Sequence, residues 1–400
     1  MAISVSYKYK IEAKFNFGNK EEPILSQGIY NIVTNYDYDN YNIPILYMGV
    51  RLETSLYNKM VINQEKGTIV LTISRAKNNG SGYSQYKNYI KDEFTYIMST
   101  NPDYNITMEK QSDTNNRIAQ NYRQGFLSLI QLNTTDNNKK IINNIIKNSN
   151  MMSIIHKYTS HMNMVMEPIH NDKYFNFLII PPLESVAKLL KYLNKQSVFY
   201  REGFRYFVDF DKTYLLSAEG NPVDTKDGTY STIIINISDP AVDDTAHQTG
   251  IATDSTNKAY IINMNANNTI IDVKKSEEKI FNKIMGVDSY GNTRELKLNI
   301  PRSEGSSDKL RLERVPLDNI DYTDYLRDNI ENTTIMFSAT KTEVDSSLIT
   351  PNKEYLVRNY PTFKEYNGRY VLSFKKEIFI NENEQYISNV IFGLRKIKDR

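Results

Sequence analysis

The sequence predicts a mainly β protein with a mixed α/β middle part. Three observations carry that expectation. Apolar and polar residues alternate over residues 5–17. Strand-like runs recur at both ends of the chain with turn-prone segments between them. Helical spacing of apolar residues is confined to the centre. A period of two puts every second side chain on one face of a strand, whereas a period near 3.6 marks a helix.

Val5, Tyr7, Tyr9, Ile11, Ala13, Phe15 and Phe17 alternate with Ser4, Ser6, Lys8, Lys10, Glu12, Lys14 and Asn16, which is the clearest strand pattern in the chain. Further strands are expected at 29–34, 45–52, 68–74 and 94–98, with turn-prone stretches at 36–42 and 77–84. Five strands in about a hundred residues, without a convincing long helix, read as an antiparallel barrel or sandwich. Residues 99–125 read as a linker or exposed loop. Order resumes at 126–132. The spacing of Ile141, Ile142, Ile145 and Ile146 fits helix and strand alike, and 151–161 reads as a helix.

The stretch 181–217 organises the remainder. Pro181-Pro182 closes the apolar run 177–180, and Leu183, Val186, Ala187, Leu189, Leu190 and Leu193 then recur at helical spacing. Prolines suit a helix start, because their fixed φ and missing N–H cost nothing there. From Phe204 the period becomes two. Phe204, Tyr206, Val208, Phe210, Tyr214 and Leu216 fall on one parity, and Arg205, Asp209, Asp211, Thr213 and Ser217 on the other. One long amphipathic strand is expected, with its polar face towards water or a partner. Strands follow at 230–238, 259–264, 269–274, 294–300, 334–339, 354–358, 369–374, 377–380 and 386–394. Residues 239–257 read as a long exposed loop or hairpin tip, 265–268 as a hairpin turn, and 324–330 as a short helix.

Composition narrows the function classes. The 400 residues suggest about two to three domains. No run is long and apolar enough for a transmembrane helix, and the first residues lack a signal-peptide core, so a soluble protein made without export by that route is expected. With no cysteine, disulfides and thiolate metal sites are excluded. A formal charge of +2 gives no push towards nucleic acid or anionic membrane. The 30 tyrosines and absent tryptophan fit an AT-rich coding bias, and tyrosine also suits strands and protein interfaces.

Motifs for catalysis are sparse. Asp209-Phe210-Asp211-Lys212-Thr213 reads D-x-D-x-T, the nucleophile motif of haloacid-dehalogenase-type phosphatases, in which both carboxylates help hold Mg²⁺. That motif should end a parallel strand apolar on both faces, with βαβ units following. The pattern here is amphipathic and continues as strand. A structural strand is therefore the main reading and a phosphatase using Asp209 and Asp211 the alternative. His156, His161, His170 and His247 form no metal-binding motif, and nucleophile-elbow, P-loop and dinucleotide signatures are absent. No catalytic, cofactor-binding or metal-binding residue is assigned, and no enzymatic activity is expected. Asp243-Asp244, Glu277-Glu278 and the basic run 395–400 read as solvated surface.

The run Tyr200-Arg201-Glu202-Gly203-Phe204-Arg205-Tyr206-Phe207-Val208-Asp209-Phe210-Asp211-Lys212-Thr213-Tyr214-Leu215-Leu216-Ser217, preceded by the Pro181-Pro182 helix, resembles the baseplate hub proteins of contractile-tailed bacteriophages. These are the T4-type hubs, as in large phages of Gram-positive hosts. The resemblance implies two tail-tube-like antiparallel β-barrels in one chain. The first would span 1–98, a mixed α/β domain 99–200, and the second 201–400, built from 201–240 and part of 294–400 with 241–293 inserted. It also implies a structural hub, a homotrimer joining the six-fold tail tube to a trimeric central spike around the DNA channel. Tail tube protein, central spike or tail lysin protein and baseplate wedge proteins would be its partners, DNA only passing cargo, and no membrane a partner. It would be made in the host cytoplasm and reside in the virion baseplate. A tube initiator, wedge or receptor-binding module is the other alternative.

Overall fold

The computed structural model describes residues 7–40, 43–77, 90–98, 122–132, 141–200, 203–209, 212–219, 232–238, 249–253, 258–266, 269–275, 283–287, 292–297, 310–312, 333–342, 346–358, 364–382 and 385–397.

The N-terminal part holds β1 (Tyr7–Phe17), β2 (Lys20–Ile24), β3 (Ile29–Asp37), β4 (Ile45–Glu53), α1 (Thr54–Ile62), β5 (Thr68–Lys77), β6 (Ile90–Met98) and β7 (Tyr122–Gln131). Tyr9, Ile11, Ala13 and Phe15 of β1 are buried, while Lys10 and Glu12 on the opposite parity form an exposed ion pair. The alternation in the sequence is thus the inside and outside of a barrel wall. All ladders here are antiparallel, in the order β3-β4-β7-β6-β5-β1. Two expectations change. Residues 122–125 open β7, which pairs with β4 over its whole length, instead of belonging to a linker; 99–121 lie outside the described residues. Helix α1, absent from the sequence reading, lays Met60 into the barrel core.

The middle part holds β8 (Ile142–Asn150), α2 (Met151–Thr159), β9 (Met164–Met166), β10 (Tyr174–Leu183) and α3 (Val186–Gln196). The ambiguous isoleucines are strand, paired antiparallel with β10. Asn150 caps α2 by accepting from the Ser153 N–H at 3.0 Å. Pro181-Pro182 ends β10 instead of opening a helix. Ser185, three residues on, supplies the cap by accepting from the Lys188 N–H at 3.3 Å, and that sets where α3 begins. Val186, Ala187, Leu189, Leu190 and Leu193 are buried as their spacing requires. Beyond α3, β11 (Phe204–Asp209) and β12 (Lys212–Ser217) form a hairpin, and β12 runs parallel to β9.

The C-terminal part holds β13 (Thr232–Ser238), β14 (Thr249–Thr253), β15 (Lys258–Asn265), β16 (Thr269–Lys275), β17 (Lys283–Val287), β18 (Thr293–Lys297), β19 (Leu310–Leu312), β20 (Thr333–Thr342), β21 (Glu354–Arg358), β22 (Gly368–Glu382) and β23 (Gln385–Lys396). Its main sheet runs β14-β15-β13-β21-β22-β23-β20-β16, and β17, β18 and β19 form a small separate sheet. β13 lies parallel to both β15 and β21. Residues 249–253, within the stretch expected as an exposed loop or hairpin tip, pair antiparallel with β15. The hairpin expected at 265–268 does not form a ladder: β15 pairs β13 and β14, and β16 pairs β20. A turn signal reverses the chain but does not choose the partner strand. The helix expected at 324–330 lies outside the described residues.

β22 and β23 belong to both sheets. They pair with each other from Tyr370↔Lys396 to Glu382↔Gln385. On the other side of β22, residues 368–370 pair with β21 and residues 374–380 with β3. On the other side of β23, Tyr386 pairs with Tyr9 of β1 and residues 389–395 with β20. The far end of this hairpin therefore closes the first barrel, between β3 and β1, and its base forms the middle of the second sheet. Among the described residues three hydrophobic cores result, one per part.

Candidate functional site

The polar feature that matters most lies where the three parts meet, against the middle of the shared hairpin. β22 carries a register shift between Leu372 and Phe374. An extra residue in a strand frees backbone polar groups from the ladder, and these must find partners when buried. Here the Ser373 carbonyl accepts from the Tyr38 N–H at 2.8 Å, and the Leu372 carbonyl accepts from Arg205 Nη1 at 2.9 Å. The Ser373 hydroxyl bonds the Asp39 carboxylate. The bulge is thus pinned from the end of β3 and from β11, at the point where the hairpin passes from the first barrel into the second sheet.

Around it sits a set of buried charges. Asp209 is 3% exposed and accepts from the Tyr38 hydroxyl at 2.8 Å. Lys375, fully buried, places Nζ 4.0 Å from Asp209 Oδ1, 3.2 Å from the Ile349 carbonyl, and 4.7 Å from the centre of the Tyr36 ring. Glu377 accepts from the Ser346 hydroxyl. Arg395 reaches Asp39 Oδ1 at 3.3 Å and donates to the Ala218 carbonyl at 2.7 Å. Glu167 accepts from the Ser217 N–H at 2.8 Å. Phe207 joins the set through rings: it stacks on Tyr214 at 5.2 Å and meets Tyr38 edge-on at 5.1 Å.

The environment tunes these groups. Burial, and then the neighbouring Arg395, pushes the Arg205 guanidinium down to about 10, against the pull of Asp39. Burial works to raise the Asp39 carboxyl, but Arg395, Arg205 and the Ser373 hydroxyl outweigh it and hold the group below its ordinary value. Burial, with Asp209 next, drives the Tyr38 phenol well up, so it stays a donor to that carboxylate.

This geometry does not suit the D-x-D-x-T chemistry. Asp209 ends an antiparallel hairpin strand, paired with Lys212, and its carboxylate is covered by Tyr38 and Lys375. A phosphoryl group has no approach to a nucleophile so enclosed. Asp211 lies outside the described residues. Among the described residues, the polar parity expected to face water is buried: Arg205, Asp209, Thr213 and Ser217 are 9% exposed or less. The single long strand is two, β11 and β12, whose even-numbered positions do not share a face. Tyr206 and its partner Leu215 join the middle core, while Phe207, Tyr214 and Leu216 join the C-terminal core. One signal for this was present: Phe207 and Leu215 occupy the supposedly wet parity.

The other candidates are scattered. His156 lies in α2, His170 sits edge-on to Tyr200, and His247, Asp243-Asp244 and Glu277-Glu278 lie outside the described residues. Among the described residues no cluster of three or more His, Asp or Glu is placed to hold a metal ion, and no helix is long and apolar enough to cross a membrane. The basic run at 395–400 is not a solvated tail at its start. Arg395 is in the junction, and Lys396 donates to the Glu365 and Asn367 carbonyls at 2.5 and 3.0 Å.

Comparison with known proteins agrees with this structural character. The family described as bacteriophage PBS1 gene 109 protein matches residues 2–397. No curated protein matches. Among solved structures, the tail protein from Neisseria meningitidis MC58 is similar over 97% of this chain and 97% of its own, at 11% identity and a TM-score of 0.54. The lidded Francisella PdpA–VgrG complex is similar over 98% of this chain and 53% of its own, at 11% identity and a TM-score of 0.51. The mainly β, tail-protein fold implied by the hub resemblance is therefore the one found.

Proposed function

Since the chain belongs to the bacteriophage PBS1 gene 109 protein family and has a tail-protein fold, we propose that it is the hub of a contractile-tail baseplate. In that role it adapts the six-fold tail tube to a trimeric central spike around the DNA channel. The observation that carries this reading is the shared hairpin. One chain holds two curved β units whose spacing is set by β22 and β23, the middle strands of one and the closing strands of the other. Three copies would then present six tube-like positions with the symmetry of three, which is what a closed cyclic adaptor needs.

The division we propose follows the pairing. One barrel comprises β1, β3 to β7 and the far end of the hairpin. A middle unit comprises β8 to β12 with α2 and α3, and the second unit is the C-terminal sheet. The partners of the assembled homotrimer would be the tail tube protein, the spike or tail lysin protein and the wedge proteins, within the virion baseplate. The chain acts by packing and not by turnover, because its densest polar cluster is spent on holding its own parts together. Imaging of the virion baseplate tests the reading. Three copies around the tail axis, between tube and spike, are expected; six copies per ring, or copies off the axis, would overturn it.

A further inference from the structure

One contact in the junction has chemistry beyond packing. Lys375 of β22 is fully buried, Asp209 at the end of β11 is 3% exposed, and Nζ lies 4.0 Å from Oδ1. That is beyond hydrogen-bond reach of this oxygen. Tyr36, Tyr38 and Ile349, which contact the pair, are core residues 6% exposed or less. Glu377, two residues along β22 and so on the same strand face, is buried too. Burial first, and then Glu377, push the Tyr36 phenol well up, and Asp209 adds to this. Both carboxylates therefore act on the ring that Nζ lies over. Keeping opposite charges ionised in so dry a place is costly unless their geometry is excellent.

A primary amine and a carboxyl held together away from water can condense. Nζ adds to Cγ of Asp209, one carboxyl oxygen leaves as water with two protons of the ammonium, and an amide bond joins Nζ to Cγ. No oxidant, metal or cofactor takes part. Holding the two groups in place makes the step intramolecular, and well-aligned pairs reach effective molarities of about 10⁵–10⁸ M. The Tyr38 hydroxyl, which donates to Oδ1 at 2.8 Å, is placed to stabilise the charge that grows on that oxygen as Nζ adds. The product has partners where it stands. Its carbonyl oxygen keeps the Tyr38 donor, and its N–H has the Ile349 carbonyl, 3.2 Å from Nζ. Two buried charges thus become one neutral, hydrogen-bonded amide.

We propose that Lys375 and Asp209 join in an intramolecular isopeptide bond after the chain folds, with Tyr38 as donor to the carbonyl oxygen. Newly folded chains carry the ion pair, and the amide accumulates from it. The bond ties the β11–β12 hairpin covalently to the shared β22–β23 hairpin, and it does not depend on the hub reading.

The test is the mass of the denatured full-length chain, followed over days after folding at neutral pH. A mass lower than that of the sequence by one water is expected. Trypsin should then release residues 206–212 joined to 370–376, uncut after Lys375, and fragmentation should place the link between Asp209 and Lys375. Lys375→Met, which lacks the nucleophile, should keep its full mass. Tyr38→Phe leaves both joined groups in place and should lose water more slowly, by about 10²-fold for a missing oxyanion donor. The unaltered chain needs no variant to fold, so a full mass at every time overturns the proposal. A lost water without the branched peptide, as from a succinimide at an aspartate, overturns it as well, and so does a link at Asp211. An unchanged rate in Tyr38→Phe would overturn the part given to Tyr38.

Discussion

Removing Lys375 or Asp209 singly should cost more than removing both, because each single change leaves a buried charge with less compensation. A buried pair broken on one side typically costs about 3–5 kcal/mol. Lys375→Met and Asp209→Asn are each expected to destabilise by an amount of that order, and the two together by clearly less. Urea unfolding of the four proteins as a double-mutant cycle measures it, and strict additivity would mean that the 4.0 Å approach carries no coupling. Asp39 makes a second prediction. Its folded-state carboxyl titrates below the ordinary value because Arg395 and Arg205 overcome its burial. The stability it contributes is therefore fully present above the usual carboxylate pKa of about 4 and is lost as pH falls through the depressed folded value. Asp39→Asn should lower the melting temperature at pH 7 and flatten its decline as the pH falls below the usual carboxylate pKa of about 4. An unchanged slope would remove Asp39 from the acid response.

The shared hairpin is the element on which both β units depend, and at Gly393 it leaves no room for a side chain. In the β22–β23 ladder Gly393 faces Phe374, the first residue after the bulge, and a Cβ built on Gly393 would meet that ring at 1.9 Å. The aromatic ring covers the glycine, so an added methyl must push the ring from its place. Gly393→Ala is expected to cost about 1–3 kcal/mol by overpacking, and Gly393→Ala with Phe374→Leu to recover part of it; thermal melts of the two variants decide. Much of the hairpin was legible: 369–374, 377–380 and 386–394 were all expected as strands from their alternation. What local pattern could not supply was that 369–380 is one strand crossing a bulge, or that its two ends pair with β21 and β3, more than 300 residues apart in one case. Strand pairing is a long-range choice, and alternation reports only which face is buried. The same limit hid the junction. Arg205, Asp209 and Ser217 look like a wet face because polar residues are usually exposed, and only Phe207 and Leu215 on that parity argued otherwise. β7 and α1 were missed or misplaced for a different reason. Tyr122, Arg123 and Gln124 are exposed at the start of β7, and α1 buries only Met60, so neither carries a strong period.

At the scale of the whole molecule, the topology makes the two β units mechanically dependent. The first barrel has no closed wall without Tyr386 against Tyr9 and residues 374–380 against β3, and the second sheet loses its middle strands if the same hairpin leaves. The buried junction adds a third tie, since Tyr38 and Asp39 follow a barrel strand, Arg205 and Asp209 belong to the middle hairpin, and Lys375 and Arg395 to the shared one. Separable domains joined by linkers unfold in separate steps, whereas units that share a strand pair lose their cores together. Tryptophan is absent from the chain, so an introduced one reports its own surroundings alone. Phe94→Trp packs on the first core and Leu348→Trp on the C-terminal one, both at partly buried positions. The two reporters are expected to show coincident midpoints in urea, each matching the loss of β-sheet signal. Arg205→Met, by cutting the tie to Leu372, should lower both midpoints together. Two midpoints that separate, or one that moves while the other stays, would mean that the hairpin does not couple the units. Under the proposed hub role, a rigid spacing between tube-like positions would then have to come from neighbouring copies.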